Sequence, residues 1–194
     1  MKRYAINKLI EWKNKTKHKP LIIRGARQVG KTWLMKEFGK TEYKKTIYIN
    51  FELEKLMCDL FSLDFDTRRI IEGLELAYSK IDAKNTLIIL DEIQECPKAL
   101  TALKYFYENS PEYNIVTAGS LLGVAIHENI SFPVGKVDFL DLYPLSFLEF
   151  LDAMGESNFI EALKVPMSPN LKIFKMTYSK IDAKNTLIIL DEIQ

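Results

Sequence analysis

The chain has 194 residues, 47% of them hydrophobic and 27% charged, enough apolar content for one substantial core but not for two full domains. Lysine and arginine number 27 against 26 for aspartate and glutamate, so the net charge of +1 sets up no global field for nucleic acid or an anionic membrane, and any nucleic-acid contact would need a local basic patch. No apolar signal region follows the first residues and no run reaches the roughly 18 apolar residues of a membrane span, which points to a cytoplasmic protein.

Residues 3–13 predict a helix, with Ile6, Leu9, Ile10 and Trp12 at helical spacing. The basic run Lys13, Lys15, Lys17, His18 and Lys19 reads as its solvated end and is weak ground for nucleic-acid contact. Residues 20–24 predict a strand. Directly after it, Gly25-Ala26-Arg27-Gln28-Val29-Gly30-Lys31-Thr32 matches the phosphate-loop pattern G-x-x-x-x-G-K-[ST] at every fixed position. A strand that ends in such a loop and reopens as a helix turns backbone N–H groups and the positive helix end toward one anion. The loop through Trp33 is therefore read as a nucleoside triphosphate site. Lys31 would reach the β- and γ-phosphates, and the Thr32 hydroxyl would meet Mg²⁺. Arg27 and Gln28 read either as solvated loop side chains or as reporters of phosphate state to a neighbour. The following helix carries Leu34, Met35 and Phe38 and is expected to stop at Gly39.

Residues 46–51 predict a second strand. Asp66 predicts the cap of a helix bearing Ile70, Leu74 and Ala77 on one face, and residues 87–90 form an apolar run fit for a strand buried on both sides. Pro97 suits the first position of a helix with Leu100, Leu103 and Tyr107 inward, and residues 113–117 predict another strand. Ser146 and Glu149 form a capping box that opens a further helix. Alternating strands and helices imply a mainly parallel sheet covered on both faces, with ligands at the carboxyl ends of the strands. Cys58 and Cys96 lack C-x-x-C spacing, so they are expected to be reduced thiols, neither zinc ligands nor a disulfide pair.

Asp91 and Glu92 follow the apolar run at 87–90, where metal chemistry on a bound triphosphate is arranged. Asp91 is expected to hold Mg²⁺ through water, leaving Glu92 to polarise an attacking water as general base. A helix cap followed by a surface acid is the plainer alternative. Glu52, at the end of the second strand, is a rival base of the kind used by RecA-type ATPases. No Asn-Lys-x-Asp follows the loop, as a GTPase would require, and no arginine-bearing lid of a nucleotide kinase is evident.

The segments 24–32 and 90–94, with Ala118-Gly119-Ser120, Phe132-Pro133-Val134-Gly135-Lys136-Val137 and Tyr143-Pro144-Leu145-Ser146-Phe147, together resemble the prokaryotic AAA+ P-loop ATPases usually labelled only as ATP-binding proteins. The likeness covers residues 3–152. It implies an α/β fold of the additional-strand type, ATP with Mg²⁺ as ligand, and a further C-terminal domain that is missing here. It also implies a polar sensor at the tip of the fourth strand, Ser120 or else Thr117. A tight turn after Gly119 is the alternative reading of Ser120.

Two features depart from that pattern. All five arginines precede residue 70, so no late arginine finger is present; Lys136 could substitute only as a point charge, and hydrolysis in isolation should be slow. Residues 178–194 repeat residues 78–94 without one change, which looks like a recent duplication or a join. The expected organisation is an ATPase core at 1–152, a helical linker at 153–177 and a duplicated tail in which Asp191 and Glu192 are spectators. The expected function is hydrolysis of MgATP to reshape an effector domain or partner, with a homo-oligomer as one arrangement. The alternatives are a nucleotide-operated binding module with little turnover and a chimeric fragment.

Overall fold

The computed structural model describes residues 3–119, 133 and 135–156. The repeat at 178–194 and all of the expected 153–177 linker beyond residue 156 lie outside the described residues. The described residues fall into two compact units, one of residues 4–144 and one of residue 3 with 145–156.

The larger unit opens with α1 (Ala5–Lys13), β1 (Leu21–Arg24), α2 (Lys31–Glu42) and β2 (Lys45–Asn50). It continues through α3 (Lys55–Ser62), α4 (Thr67–Tyr78), β3 (Thr86–Asp91), a short 3₁₀ turn at Ile93–Glu95, α5 (Pro97–Asn109), β4 (Asn114–Ala118) and β5 (Asp138–Asp141). The five strands form one sheet in the order β2-β3-β4-β1-β5, and every pairing is parallel. β4 therefore sits between β1 and β3, the arrangement expected of an additional-strand P-loop fold.

Side chains alternate across this sheet as a pleated strand requires. Leu21, Ile23, Leu87, Ile89 and Val116 pack with Leu9 and Trp12 of α1 and with Leu34, Met35 and Phe38 of α2. Ile22, Ile47, Ile49, Ile88, Leu90 and Ile115 join Phe61, Ile70, Leu74, Leu100, Leu103 and Phe106 from α3, α4 and α5. Every residue of β3 is buried, which is why its sequence is apolar rather than alternating. Truncating one of these leucines or isoleucines to alanine would cost about 2–5 kcal/mol.

Several local expectations hold. Asp66 caps α4 by accepting from the Arg68 N–H, and Pro97 begins α5. In the smaller unit, Ser146 and Glu149 close both halves of the capping box at the head of α6 (Phe147–Ala153), and Arg3 pairs with Glu149 at 3.3 Å. Others are corrected. Ala77 faces solvent while Ile71 is buried, and Phe106 rather than Tyr107 fills the inward position on α5. The basic run is partly engaged by the fold: Lys13 bonds the Glu42 carbonyl and carboxylate, Lys15 pairs with Asp138 while half exposed, Lys19 donates to the Gly135 carbonyl, and His18 packs edge-on against Trp12, whereas Lys17 is solvated as expected.

Cys58 and Cys96 form a disulfide, with Cα atoms 5.6 Å apart, so the expectation of two reduced thiols is corrected. Packing of α3 against the start of α5 makes the pair, and a sequence separation of 38 residues gives no local sign of it. In the chain-entropy account a bridge closing a loop of that length contributes about 4 kcal/mol.

Gly39 does not end α2, which runs on to Glu42. It marks a close approach instead: a Cβ there would lie 2.5 Å from Thr46 Oγ1 and 2.9 Å from Thr46 Cγ2. Threonine is branched at Cβ and cannot swing both groups away. Gly39→Ala should therefore lower stability by about 1–3 kcal/mol in urea unfolding, despite the helix propensity it gains. In a Thr46→Ala background the sign should reverse, with Gly39→Ala stabilising by up to about 1 kcal/mol.

Candidate functional site

Because all strands run parallel, the loop after β1 and the tips of β3 and β4 meet at one edge of the sheet. The floor of the phosphate loop is set by packing: a Cβ on Gly25 would stand 2.2 Å from the Leu142 carbonyl oxygen, just past β5. The Leu142 N–H reaches back to the Arg24 carbonyl at 2.7 Å, closing that floor. Gln28 and Gly30 adopt left-handed backbone, at φ 64° and 90°, which turns the chain around the hollow of the loop. Gly30 is the N-cap of α2 and brings no side-chain cap, so the N–H groups of the first turn are left for a ligand. Ala26, Arg27 and Gln28 are exposed, Val29 is buried beneath them, and Trp33 is 37% exposed on the outer side of the helix start.

Lys31 is 8% exposed and folds back over the loop, donating to the Gly25 carbonyl at 2.9 Å and the Ala26 carbonyl at 2.6 Å. Burial lowers its pKa from the ordinary lysine value, opposed by the nearby Glu92 and Asp91 carboxylates. The amine is thus held inside a cradle of carbonyls that a polyphosphate could displace.

Asp91 is 3% exposed at the tip of β3. Its Oδ2 accepts from Thr32 Oγ1 at 2.7 Å and from Tyr48 Oη at 2.9 Å, while Oδ1 accepts from the Glu92 N–H at 3.1 Å. The hydroxyl and the carboxylate bring oxygen donors together across 59 positions of sequence, and hard oxygen donors of this kind suit Mg²⁺. Among the described residues no group of three or more His, Cys, Asp or Glu is placed to hold a metal ion alone. Tyr48 stands on β2 beneath the Lys36 ammonium, 3.7 Å from the ring centroid. Burial first, then the Asp91 carboxylate, pushes its phenol up to about 12, so it remains a donor at neutral pH. Nothing in the phosphate-loop pattern marks Tyr48; its only sign in the sequence is a polar-tipped residue inside an apolar strand.

Glu92 sits in left-handed backbone at φ 50° and ψ 47°, between β3 and the 3₁₀ turn. Its Oε2 accepts from Gln94 Nε2 at 2.6 Å, a second contact that motif reading missed. The rival acid Glu52 is exposed, and its N–H closes a turn on the Asn50 side-chain oxygen at 2.9 Å. Thr117 is fully buried and donates to the Leu90 carbonyl at 2.7 Å, which commits its hydroxyl to joining β4 and β3. Ser120 lies outside the described residues. Lys136 cannot serve the loop: it pairs with Glu108 at 3.0 Å, and it precedes β5 at the amino-terminal edge of the sheet. The length of β1, about 13 Å at ~3.3 Å per residue, separates the two edges.

Arg24 is held by Asp141 through two bonds of 2.9 Å and stacks over Phe139 at 4.3 Å; Arg69 is held by Asp64 at 2.8 Å. Arg27 stands exposed on the loop. The left-handed Glu92 invites a direct test of backbone strain. Glu92→Ala and Glu92→Gly both remove the carboxylate, but only glycine adopts this backbone freely, so the glycine variant should be the more stable by about 1 kcal/mol in urea unfolding.

A family model described as AAA domain matches residues 17–151. No curated protein matches the chain. Among solved structures, the Walker-type ATPase of Pyrococcus abyssi superposes with a TM-score of 0.52 at 18% identity, over 84% of this chain and 59% of that one. DnaA of Aquifex aeolicus, bound to AMPPCP, gives 0.46 at 14% identity over 92% and 60%, and C. elegans PCH-2 gives 0.39 at 15% over 77% and 41%. The chain thus spans about three fifths of the length of the Pyrococcus protein, and at such identity the likeness speaks for the fold. With the family match across most of the sheet, the strand order and the phosphate loop at its edge, the chain belongs to the AAA domain family of P-loop ATPases.

Proposed function

We propose that the chain binds MgATP at this edge and hydrolyses it, slowly when alone, to move an effector domain or partner. The observation that carries the proposal is the Thr32–Asp91 hydrogen bond of 2.7 Å at the mouth of the phosphate loop. In this reading residues Gly25 to Trp33 wrap the polyphosphate, and Lys31 exchanges its two carbonyl partners for phosphate oxygens. Thr32 and Asp91 would hold Mg²⁺, which when bound neutralises charge on the transferring phosphoryl group. Glu92, one residue past the metal-binding aspartate, orients water and takes its proton. Its bond to Gln94 gives it a fixed starting position. Ser120 stays a proposal for the polar sensor.

A second reading, a nucleotide-operated binding module with incidental turnover, draws on the arginines. Arg3, Arg24 and Arg69 are engaged in ion pairs, so a cation for the γ-phosphate would come from exposed Arg27 or Arg68 of a neighbour or from a partner. Use of ATP would place the chain in the cytoplasm, where the Cys58–Cys96 bridge would be open to reduction. Among the described residues no helix is long and apolar enough to cross a membrane.

Two variants separate the readings. At an ATP concentration about 100-fold above its dissociation constant, MgATP should raise the apparent stability of the wild type by about 2.7 kcal/mol, and Lys31→Ala should lose most of that gain. Glu92→Gln should keep the stabilisation and lose about 10²–10⁴-fold in single-turnover hydrolysis. A hydrolysis rate indifferent to Glu92→Gln removes the enzyme reading and leaves the binding module.

A further inference from the structure

We infer that the Tyr48 hydroxyl is a positioning group for Asp91, fixing the rotation of the carboxylate in which it receives a magnesium nucleotide. The inference rests on the nucleotide-binding reading above.

The sheet register makes the contact. Asn50 of β2 lies opposite Asp91 of β3, and Tyr48 lies opposite Ile89. Residues two apart along a strand share a face, so Tyr48 and Asp91 both stand on the side covered by α2, where Ile89 packs. The tyrosine hydroxyl crosses diagonally to Asp91 Oδ2 at 2.9 Å and shares that oxygen with the hydroxyl of Thr32, at the head of α2, at 2.7 Å. The ring is held under Lys36 at 3.7 Å, and Asn50 Nδ2 stands 3.5 Å from the same hydroxyl.

An ionised carboxylate offers about four acceptor positions. Here Oδ2 accepts two hydroxyls and Oδ1 accepts the Glu92 N–H, so three are filled and one remains, on Oδ1. Without the tyrosine, Oδ2 would be held by Thr32 alone, and Thr32 is itself a proposed metal ligand whose hydroxyl must serve both. Tyr48 is the only one of the three donors that is neither a proposed ligand nor joined to Asp91 through the backbone. Phenylalanine would fill the same space and keep the stack under Lys36, so packing gives no reason for the hydroxyl. Its function is read in the aspartate it restrains, as is general for groups that hydrogen-bond a metal-binding carboxylate.

The test is Tyr48→Phe, with ATP binding followed by calorimetry in EDTA and across a Mg²⁺ titration. Expected is about a tenfold rise in the Mg²⁺ concentration at half-effect, with the affinity for metal-free ATP unchanged. A Mg²⁺ midpoint equal to that of the wild type overturns the inference. So does an equal loss with and without metal, which would mark a packing role. A wild-type protein that binds ATP in neither arm removes instead the reading beneath it.

Discussion

A single hydroxyl-to-carboxylate bond, Thr32 to Asp91, joins the head of α2 to the tip of β3, and the geometry of the whole edge follows from it. β4 lies between β1 and β3, so the bond spans the tips across an intervening strand. The bond puts the loop that can cradle phosphate beside the acid that can hold a cation. It also supplies a hydrogen bond to a nearly dehydrated carboxylate, which would be costly to bury without one. Tyr48 and the Glu92 N–H add two more donors, leaving one acceptor position of the carboxylate open, on Oδ1.

Preparation has a cost in the backbone. Gln28 and Glu92, neither of them glycine, are both held in left-handed conformation, one within the loop and one directly after the aspartate. Conformations of this kind persist only where the surrounding packing determines them, at a cost of order 1–3 kcal/mol each. The packing is supplied by two apolar layers, α1 and α2 on one face and α3, α4 and α5 on the other, clamping strands whose buried side chains are mostly apolar. The disulfide adds a second restraint, tying α3 to the residue at which the turn after Glu92 gives way to α5.

Much of this was legible where cause and effect lie close together in sequence. The phosphate loop, the Asp66 cap, Pro97 at the first position of α5 and the Ser146–Glu149 box each work within a few residues, and the apolar run before Asp91 announces a doubly covered strand. What was not legible depends on the sheet. Gly39 looks like a helix stop until Thr46 on the next strand is seen against it. β5 escaped notice because Asp138-Phe139-Leu140-Asp141 is four residues long at the sheet's edge, and α3 because it is short and uncapped by any side chain. Tyr48 acquires meaning only through its register with β3, and Lys136, plausible as a cation on paper, falls at the wrong end of its strand.

The two glycines of the phosphate loop are not alike, and the difference matters for anyone scanning related chains. Gly25 is confined by a main-chain oxygen from beyond the fifth strand, whereas nothing lies within 4 Å of where a Cβ on Gly30 would project. A descendant that ceased to grip nucleotide would still need the first glycine to close its sheet and the second for its left-handed backbone at φ 90°, while the lysine behind them could drift. Persistence of the two glycines is therefore a mark of architecture, one through a close approach and one through its backbone, and Lys31 is the better witness to a working cradle.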